Sequence, residues 1–350
     1  MSNVKATGSS AREGELPIPP HFDPDRAGAV WRVEYAERAR EAEAWAQQHG
    51  VPTAASDKTR ICLVAIDAQN TFCLPGFELF VQGKSGNGAV DDNVRLCRFI
   101  YRHLHRITEI VSTMDTHTAI QIFHPVFLVD RSGRHPAPVT PISREDVEKG
   151  VWRIDPGVAK SLEAGDHTRI EEHLLHYARQ LELGRKYSLM TWPYHAMLGG
   201  IGHALVPIVE EALFFHAIAR RQPTRFEIKG DNPLTEHYSV LGPEVRAAAD
   251  RRELGHKNTG LTRRLLEFDA VLVAGQAKSH CVSWTIRDLL DEIATIDSDL
   301  ARRVYLLEDC MSPVVVPGVV DFSDAADSAF ASFRSAGVQI IRSVDPLVLR

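Results

Sequence analysis

The sequence predicts an α/β protein: a doubly wound (Rossmann-like) parallel sheet of five or six strands flanked by helices, interrupted by an inserted helical subdomain. Two observations carry this expectation. Short apolar runs of strand length alternate with segments of helical spacing, the signature of parallel strands joined by helical crossovers. The alternation fails once, between Phe123 and Thr191, over a stretch too long for a simple connection. A chain of 350 residues, 44% apolar and 25% charged, can bury a large core and is not disordered. The net charge of −6 and the lack of a Lys/Arg-dense stripe exclude nucleic acid and anionic membrane as main partners. Five cysteines, an odd number without a C-x-x-C pair, point to reduced thiols. With no apolar stretch of membrane-spanning length and no signal-peptide core, a cytoplasmic protein is expected.

Residues 1–58 read as an extension bearing one helix. Residues 1–28 are rich in Pro, Gly and charge and are expected on the surface or disordered, and Ala29 to about His49 has helix-forming composition. The main domain, 59–350, opens with the strand RICLVAID, whose apolar run stops at Asp67; Pro75 and Gly76 break the loop that follows. A helix over 88–106 precedes the strand ITEIVSTMD, ending in Asp115, and RFEIK ends in Lys229. Helices are expected near 242–251 and 258–267, then the strand around Val271–Val273. The strand RRVYLLED follows, ending in Asp309, then a helix over 321–336 and the strand GVQIIRS. The insertion, at about 125–190, is Pro-rich first and helical from roughly Thr168 to Leu183, with a lid, a structural element or a subunit contact as its readings.

Chemistry concentrates at the strand ends, the edge where open α/β sheets bind ligands. In VLVAGQAKSHCV the pattern switches from strand to helix after Gly275, which places Ser279 as a cap and Cys281 in the first helical turn. Free N–H groups and the helix dipole there favour thiolate and can bind an oxyanion, although free cysteine is also a common core residue. Asp67, Asp115, Lys229 and Asp309 end other apolar runs, so carboxylate, ammonium and thiol converge on one edge. Asp115-Thr116-His117 sets a carboxylate and an imidazole on one face of an extended segment, and TWPYHAMLGG adds His195. One Asp and two His can hold a divalent ion with positions left open.

Together these motifs resemble the nicotinamidase branch of the isochorismatase-like cysteine hydrolases. IDAQNTF is similar to the opening D-x-Q-x-x-F, FEIKG with EHYS to the lysine segment, VAGQAKSHCV to the nucleophile turn, and STMDTH and TWPYH to the metal segments. The resemblance implies a catalytic trio of Asp67, Lys229 and Cys281. It also implies an oxyanion hole of backbone N–H groups at Ala277 and Cys281, with a cis peptide at Gln276-Ala277. Phe72, Trp192 and Tyr238 would flank an aromatic substrate, and Asp115, His117 and His195 would hold a divalent metal ion, zinc first, with iron or manganese as alternatives. The implied activity is hydrolysis of a small heteroaromatic carboxamide such as nicotinamide to its acid and ammonia through a cysteine thioester. The implied partners are a small-molecule amide and further copies of the chain in a homo-oligomer.

Several positions depart from the family pattern. Gln121 stands where a second histidine is expected, with His124 and Pro125 later; Gln276 replaces a small apolar residue, and His280 precedes the nucleophile. Two other readings therefore stay open: a metal-independent hydrolase of carbamoyl or ureido compounds, and a non-catalytic family member kept for binding or assembly. Cys62, Cys73, Cys97 and Cys310 read as packing residues, with Cys73 near enough to the Asp67 loop to test for reactivity.

Overall fold

The computed structural model describes residues 14–162 and 167–349. Six strands form one sheet: β1 (Ile61–Ile66), β2 (Glu109–Asp115), β3 (Arg225–Lys229), β4 (Ala270–Gly275), β5 (Val304–Leu307) and β6 (Gln339–Ile341). Their order is β6-β5-β4-β1-β2-β3, and every adjacent pair runs parallel. The central strands β1 and β4 are buried along their whole length, which is why they read as unbroken apolar runs. The edge strand β3 is largely exposed and carries only two apolar residues, Phe226 and Ile228.

Numbering helices of eight residues or more, these are α1 (Tyr35–Gln48), α2 (Gly88–Arg102), α3 (His167–Leu183), α4 (Pro207–Arg220), α5 (Thr259–Leu266), α6 (Ser283–Ile296) and α7 (Ser323–Ser335). Leu96, Phe99 and Ile100 of α2 and Val209, Ala212 and Leu213 of α4 share one apolar layer with Leu63 of β1 and Leu272 of β4. On the other face, Leu261, Leu265, Ile286, Leu289, Phe330 and Phe333 from α5, α6 and α7 pack with Val64 and Val273. Alternate residues of each strand thus feed opposite layers, as doubly wound sheets require. The chain lays β1, β2 and β3 down in one direction, then returns to the other side of β1 for β4. That reversal opens a crevice at the C-terminal ends of β1 and β4, where ligands bind in such folds.

The inserted stretch builds a third core from Phe127, Ile142, Ile154, Leu174, Tyr177 and Trp192, closed by Leu234, Val245 and Leu254 from the segment after β3. The helix expected near 242–251 does not form. Its backbone is satisfied from outside instead: Glu244 N–H donates to the Glu236 carbonyl at 2.8 Å, Val245 N–H to Thr235 Oγ1 at 3.2 Å, and His176 Nε2 to the Ala247 carbonyl at 3.0 Å. Tertiary partners override helix propensity there.

The N-terminal expectations also need correction. The first helix begins at Tyr35 rather than Ala29. Residues 14–28 are not loose: Leu16, Ile18 and Phe22 pack on the core, and Ala27 is fully buried. Residues 1–13 lie outside the described residues. No helix among the described residues is long and apolar enough to cross a membrane.

Candidate active site

β1 hands the chain to Asp67 at the mouth of the crevice, in a left-handed conformation with φ 45°. Thr113, on the neighbouring β2, holds it there. Its Oγ1 accepts the Asp67 N–H at 3.0 Å and donates its own proton to Asp67 Oδ1. Two residues on, the Gln69 amide bridges to the end of β2. Its Oε1 accepts the Asp115 N–H and its Nε2 donates to the Asp115 carbonyl, both at 2.8 Å. Parallel register then sets Asp115 directly opposite Lys229 on β3.

The Lys229 ammonium is the hub of the cluster. Its Nζ lies 3.0 Å from Asp67 Oδ2, 2.7 Å from Asp115 Oδ1 and 3.6 Å from Cys281 Sγ, and it donates to the His237 carbonyl at 3.0 Å. All four side chains are buried. Burial opposes the Lys229 charge, but Asp115, Asp67 and Cys281 outweigh it and hold the amine well above its usual range, so it stays cationic.

The turn that carries Cys281 depends on Gly275, whose φ is 115° and where a Cβ would sit 2.0 Å from the Ile66 carbonyl oxygen. Only glycine permits that approach of β4 to β1. The Gln276-Ala277 peptide is cis. Lys278–Val282 then make a π-helical turn that runs into α6, so Cys281 sits in the turn before the α-helix. Ser279 does not cap it: its Oγ accepts the Val314 N–H at 3.0 Å and meets His280 Nδ1 at 2.8 Å. The thiol is not ionised by the helix either. Burial pushes it well above its usual range, Lys229 pulls the other way, and Asp67 and Asp115 push it up again. Burial and the two carboxylates therefore favour the protonated sulfur.

On the other side of Lys229 the two histidines meet Asp115. His117 Nε2 is 2.8 Å and His195 Nε2 3.5 Å from Asp115 Oδ2. The glycine-rich loop after His195 is zipped to the segment after β2, with His117 N–H on the Ala196 carbonyl and Leu198 N–H on the His117 carbonyl. Each ring spends Nδ1–H on a backbone carbonyl, His117 on Gly230 at 3.2 Å and His195 on Pro193 at 2.7 Å. Both Nε2 atoms therefore face the carboxylate; the 2.8 Å contact is a hydrogen bond from His117 Nε2–H, favoured by the raised His117 pKa, and a bound metal ion would take that proton's place. One ligand atom from each of the three residues lies within 4.8 Å of the others. The donor set fits a divalent ion with open coordination positions.

Phe72, Trp192, Tyr238, Ala277 and Cys281 line one cavity together with Asp115 and His195. Asp67, Lys229 and His117 stand directly behind these, so the sequence-predicted residues form one constellation. Trp192 Nε1 donates to Tyr238 Oη at 2.9 Å, and the Phe72 ring meets the His195 ring edge-on at 5.6 Å. Asp309 is not part of the cluster; its carboxylate accepts the Ser343 N–H and hydroxyl at 2.7 and 2.8 Å. Gln121 does not join Asp115, His117 and His195; it donates to the Gly230 carbonyl at 2.6 Å, bracing the oxygen that holds His117. His124 lies behind, its ring 6.0 Å from those of His117 and His195. Cys73 is buried, and burial raises its thiol to about 12, which disfavours the thiolate.

Sequence reasoning assigned no role to four residues. Gln69 and Thr113 are ordinary polar residues until the strands are paired. Glu236 and His280 both line the cavity. Burial raises the Glu236 carboxyl to about 7, and its Oε2 has no hydrogen-bond partner. Burial holds His280 neutral, down to about 3, among Trp192, Tyr238 and Phe322. Both stand in segments that carry the motifs, which was the available signal.

No family model and no curated protein matches the chain. Solved structures similar to it include a nicotinamidase/pyrazinamidase from Acinetobacter baumanii, at 19% identity and TM-score 0.48 over 83% of this chain and 100% of that one. The yeast nicotinamidase is 16% identical with TM-score 0.48, over 80% of this chain and 99% of that one. A pyrazinamidase from Pyrococcus horikoshii in complex with zinc is 17% identical with TM-score 0.41, over 81% and 98%.

Proposed function

We propose that the chain is an amidohydrolase that cleaves a small heteroaromatic carboxamide, nicotinamide or a close relative, to the acid and ammonia through a thioester on Cys281. The observation that carries this reading is the ammonium of Lys229 within 3.0 Å of Asp67, 2.7 Å of Asp115 and 3.6 Å of the Cys281 sulfur, beside an aromatic-walled cavity.

In this reading Asp67 takes the thiol proton as Sγ attacks the amide carbon, and Lys229 offsets the charge that passes between them. The carbonyl electron pair moves to oxygen, and the backbone N–H groups of Ala277 and Cys281 receive the oxyanion. Collapse of this intermediate expels ammonia, which takes its proton from Asp67. A water molecule, deprotonated by Asp67, then cleaves the thioester and returns the thiol. Trp192, Tyr238 and Phe72 hold the ring against the cavity wall. Asp115, His117 and His195 would hold the metal ion, zinc in the first instance, with iron or manganese as alternatives. When bound, it supplies a Lewis-acidic anchor for a heteroatom of the ring. The protein's own copies are the proposed assembly partner.

The test is ammonia release over a panel of carboxamides, carbamoyl and ureido compounds, with Cys281→Ala as control and metal content measured on the purified protein. Cys281-dependent release from a pyridine or pyrazine carboxamide supports the reading. Metal-free protein active only on ureido or carbamoyl compounds replaces it with the metal-independent alternative, and no Cys281-dependent release from any panel member overturns it.

A further inference from the structure

Gln276 follows Gly275 at the point where the chain enters the nucleophile turn, yet its side chain is fully buried and takes no part in lining the cavity. It reaches across to α2 instead. Gln276 Nε2 donates to Asp92 Oδ2 at 2.8 Å, and Gln276 Oε1 accepts the Ser312 N–H at 3.2 Å. Asp92 is 2% exposed, and its other carboxylate oxygen takes a hydrogen bond from Arg95 Nη2 at 2.7 Å. The backbone on either side is tied as well: Gln276 N–H to the Ile66 carbonyl and Lys278 N–H to the Ser312 carbonyl, both at 2.8 Å. Ala277, held between these anchors, lines the cavity beside Cys281.

Filling that buried space needs no polar side chain, and an apolar one would avoid the cost of desolvating a carboxylate. What the Asp92–Gln276 pair adds is direction. Ser312 N–H already occupies Oε1, so the amide cannot flip without setting N–H against N–H, and the side chain has one orientation. A backbone donor stabilises a developing oxyanion only when it is aimed before the charge forms.

We infer that Asp92 and Gln276 are positioning residues for the oxyanion hole, fixing the turn so that the Ala277 N–H points at the alkoxide formed on attack by Cys281. This rests on the proposed amide hydrolysis and deepens it: a carboxylate on α2, outside the cavity, sets the aim of a donor inside it.

The test compares wild type with Asp92→Asn, Gln276→Leu and the reversed pair D92N/Q276E, in which Asn Nδ2–H donates to the Glu carboxylate and Ser312 N–H keeps an acceptor. Three probes are used: nicotinamide turnover, inhibition by pyridine-3-carbaldehyde and inhibition by nicotinate. The aldehyde reports the oxyanion hole because Sγ adds to its carbon, the carbonyl pair moves to oxygen, and the thiol proton passes to Asp67. Nicotinate reports the ring pocket alone. Each single variant is expected to lower kcat about ten- to a hundredfold, less than outright loss of a donor, with KM little changed. Aldehyde affinity falls in step, nicotinate affinity holds, and the reversed pair recovers most of the loss. Unchanged kcat and aldehyde affinity in the singles, equal losses on aldehyde and nicotinate, or a reversed pair no better than the singles would each overturn the inference while leaving the hydrolase reading intact. A wild-type protein with no Cys281-dependent turnover of any carboxamide removes both.

Discussion

Two aspartates end neighbouring strands of the same sheet, both are buried, and both touch the same lysine, yet their surroundings drive them in opposite directions. At Asp67 burial raises the carboxyl above its usual range; Lys229 and the Thr113 hydroxyl offset this only in part, and Asp115 adds to it. At Asp115 burial pushes the same way, but His117 and Lys229 outweigh it and hold the carboxylate well below its usual range. The cysteine side therefore has a carboxyl group pushed toward holding a proton, and the histidine side has one held toward the anion. Such a separation of two acids by environment lets a single site draw a base and a fixed ligand from the same residue type, the roles the proposed function gives them. The cysteine lies beside the first and the imidazoles beside the second, so each acid is matched to its neighbour's chemistry.

The contrast breaks most visibly if the two acids are amidated one at a time. Asp67→Asn removes the proton acceptor and is expected to lower amide turnover on the order of 10³-fold while leaving bound metal in place. Asp115→Asn is expected to lose both activity and metal, because it weakens the ligand set and one of the carboxylates beside Lys229; metal content of the two purified variants decides between these fates. Equal metal content in both would erase the distinction between the two acids. A smaller effect follows from His195→Ala, which spares the Asp67–Lys229–Cys281 trio. Metal binding is expected to fall by at least the ten- to hundredfold typical of lost supporting contacts, while the Cys281 thiol keeps its alkylation rate, measured with iodoacetamide.

How much of this arrangement was legible beforehand depended on whether partners lie in one segment or must be brought together. The strand ends were readable because a buried parallel strand needs an unbroken apolar run, so Ile61–Ile66 and Ala270–Gly275 announce where they stop. Asp67 follows the first stop and Cys281 lies in the turn after the second, while Asp115 ends the buried β2 and Lys229 ends the exposed β3, which has no such run. The resemblance of motifs carried the rest of the constellation. What could not be read were contacts made only after pairing. Thr113 meets Asp67 because β1 and β2 lie side by side, and Gln276 meets Asp92 across 184 residues of sequence. The Ser279 cap failed for a related reason: a Ser hydroxyl next to a helix start is a good cap only when nothing nearer competes, and here the Val314 N–H and the His280 ring claim it. Position at a helix start likewise overstated the thiolate, because burial of Cys281 beside two carboxylates opposes the dipole.

The Thr113 hydroxyl offers the finest adjustment of the comparison, since it touches Asp67 and leaves Asp115 and its histidines alone. Its proton donates to Asp67 Oδ1, a bond that favours the charged carboxylate and so lowers its pKa. Removing it in Thr113→Val takes away that stabilisation, and the Asp67 pKa rises further. Because the free carboxylate is the form that accepts the thiol proton, activity requires a pH above that pKa, and the acid limb of kcat/KM should move to higher pH. A hydrogen bond to a charged group sets the scale at about one pH unit. The limb is measured on the free enzyme with subsaturating carboxamide, and bound metal should not change. A limb that moves to lower pH, or stays put while activity falls at every pH, would mean that Asp67 is not the group whose ionisation governs attack.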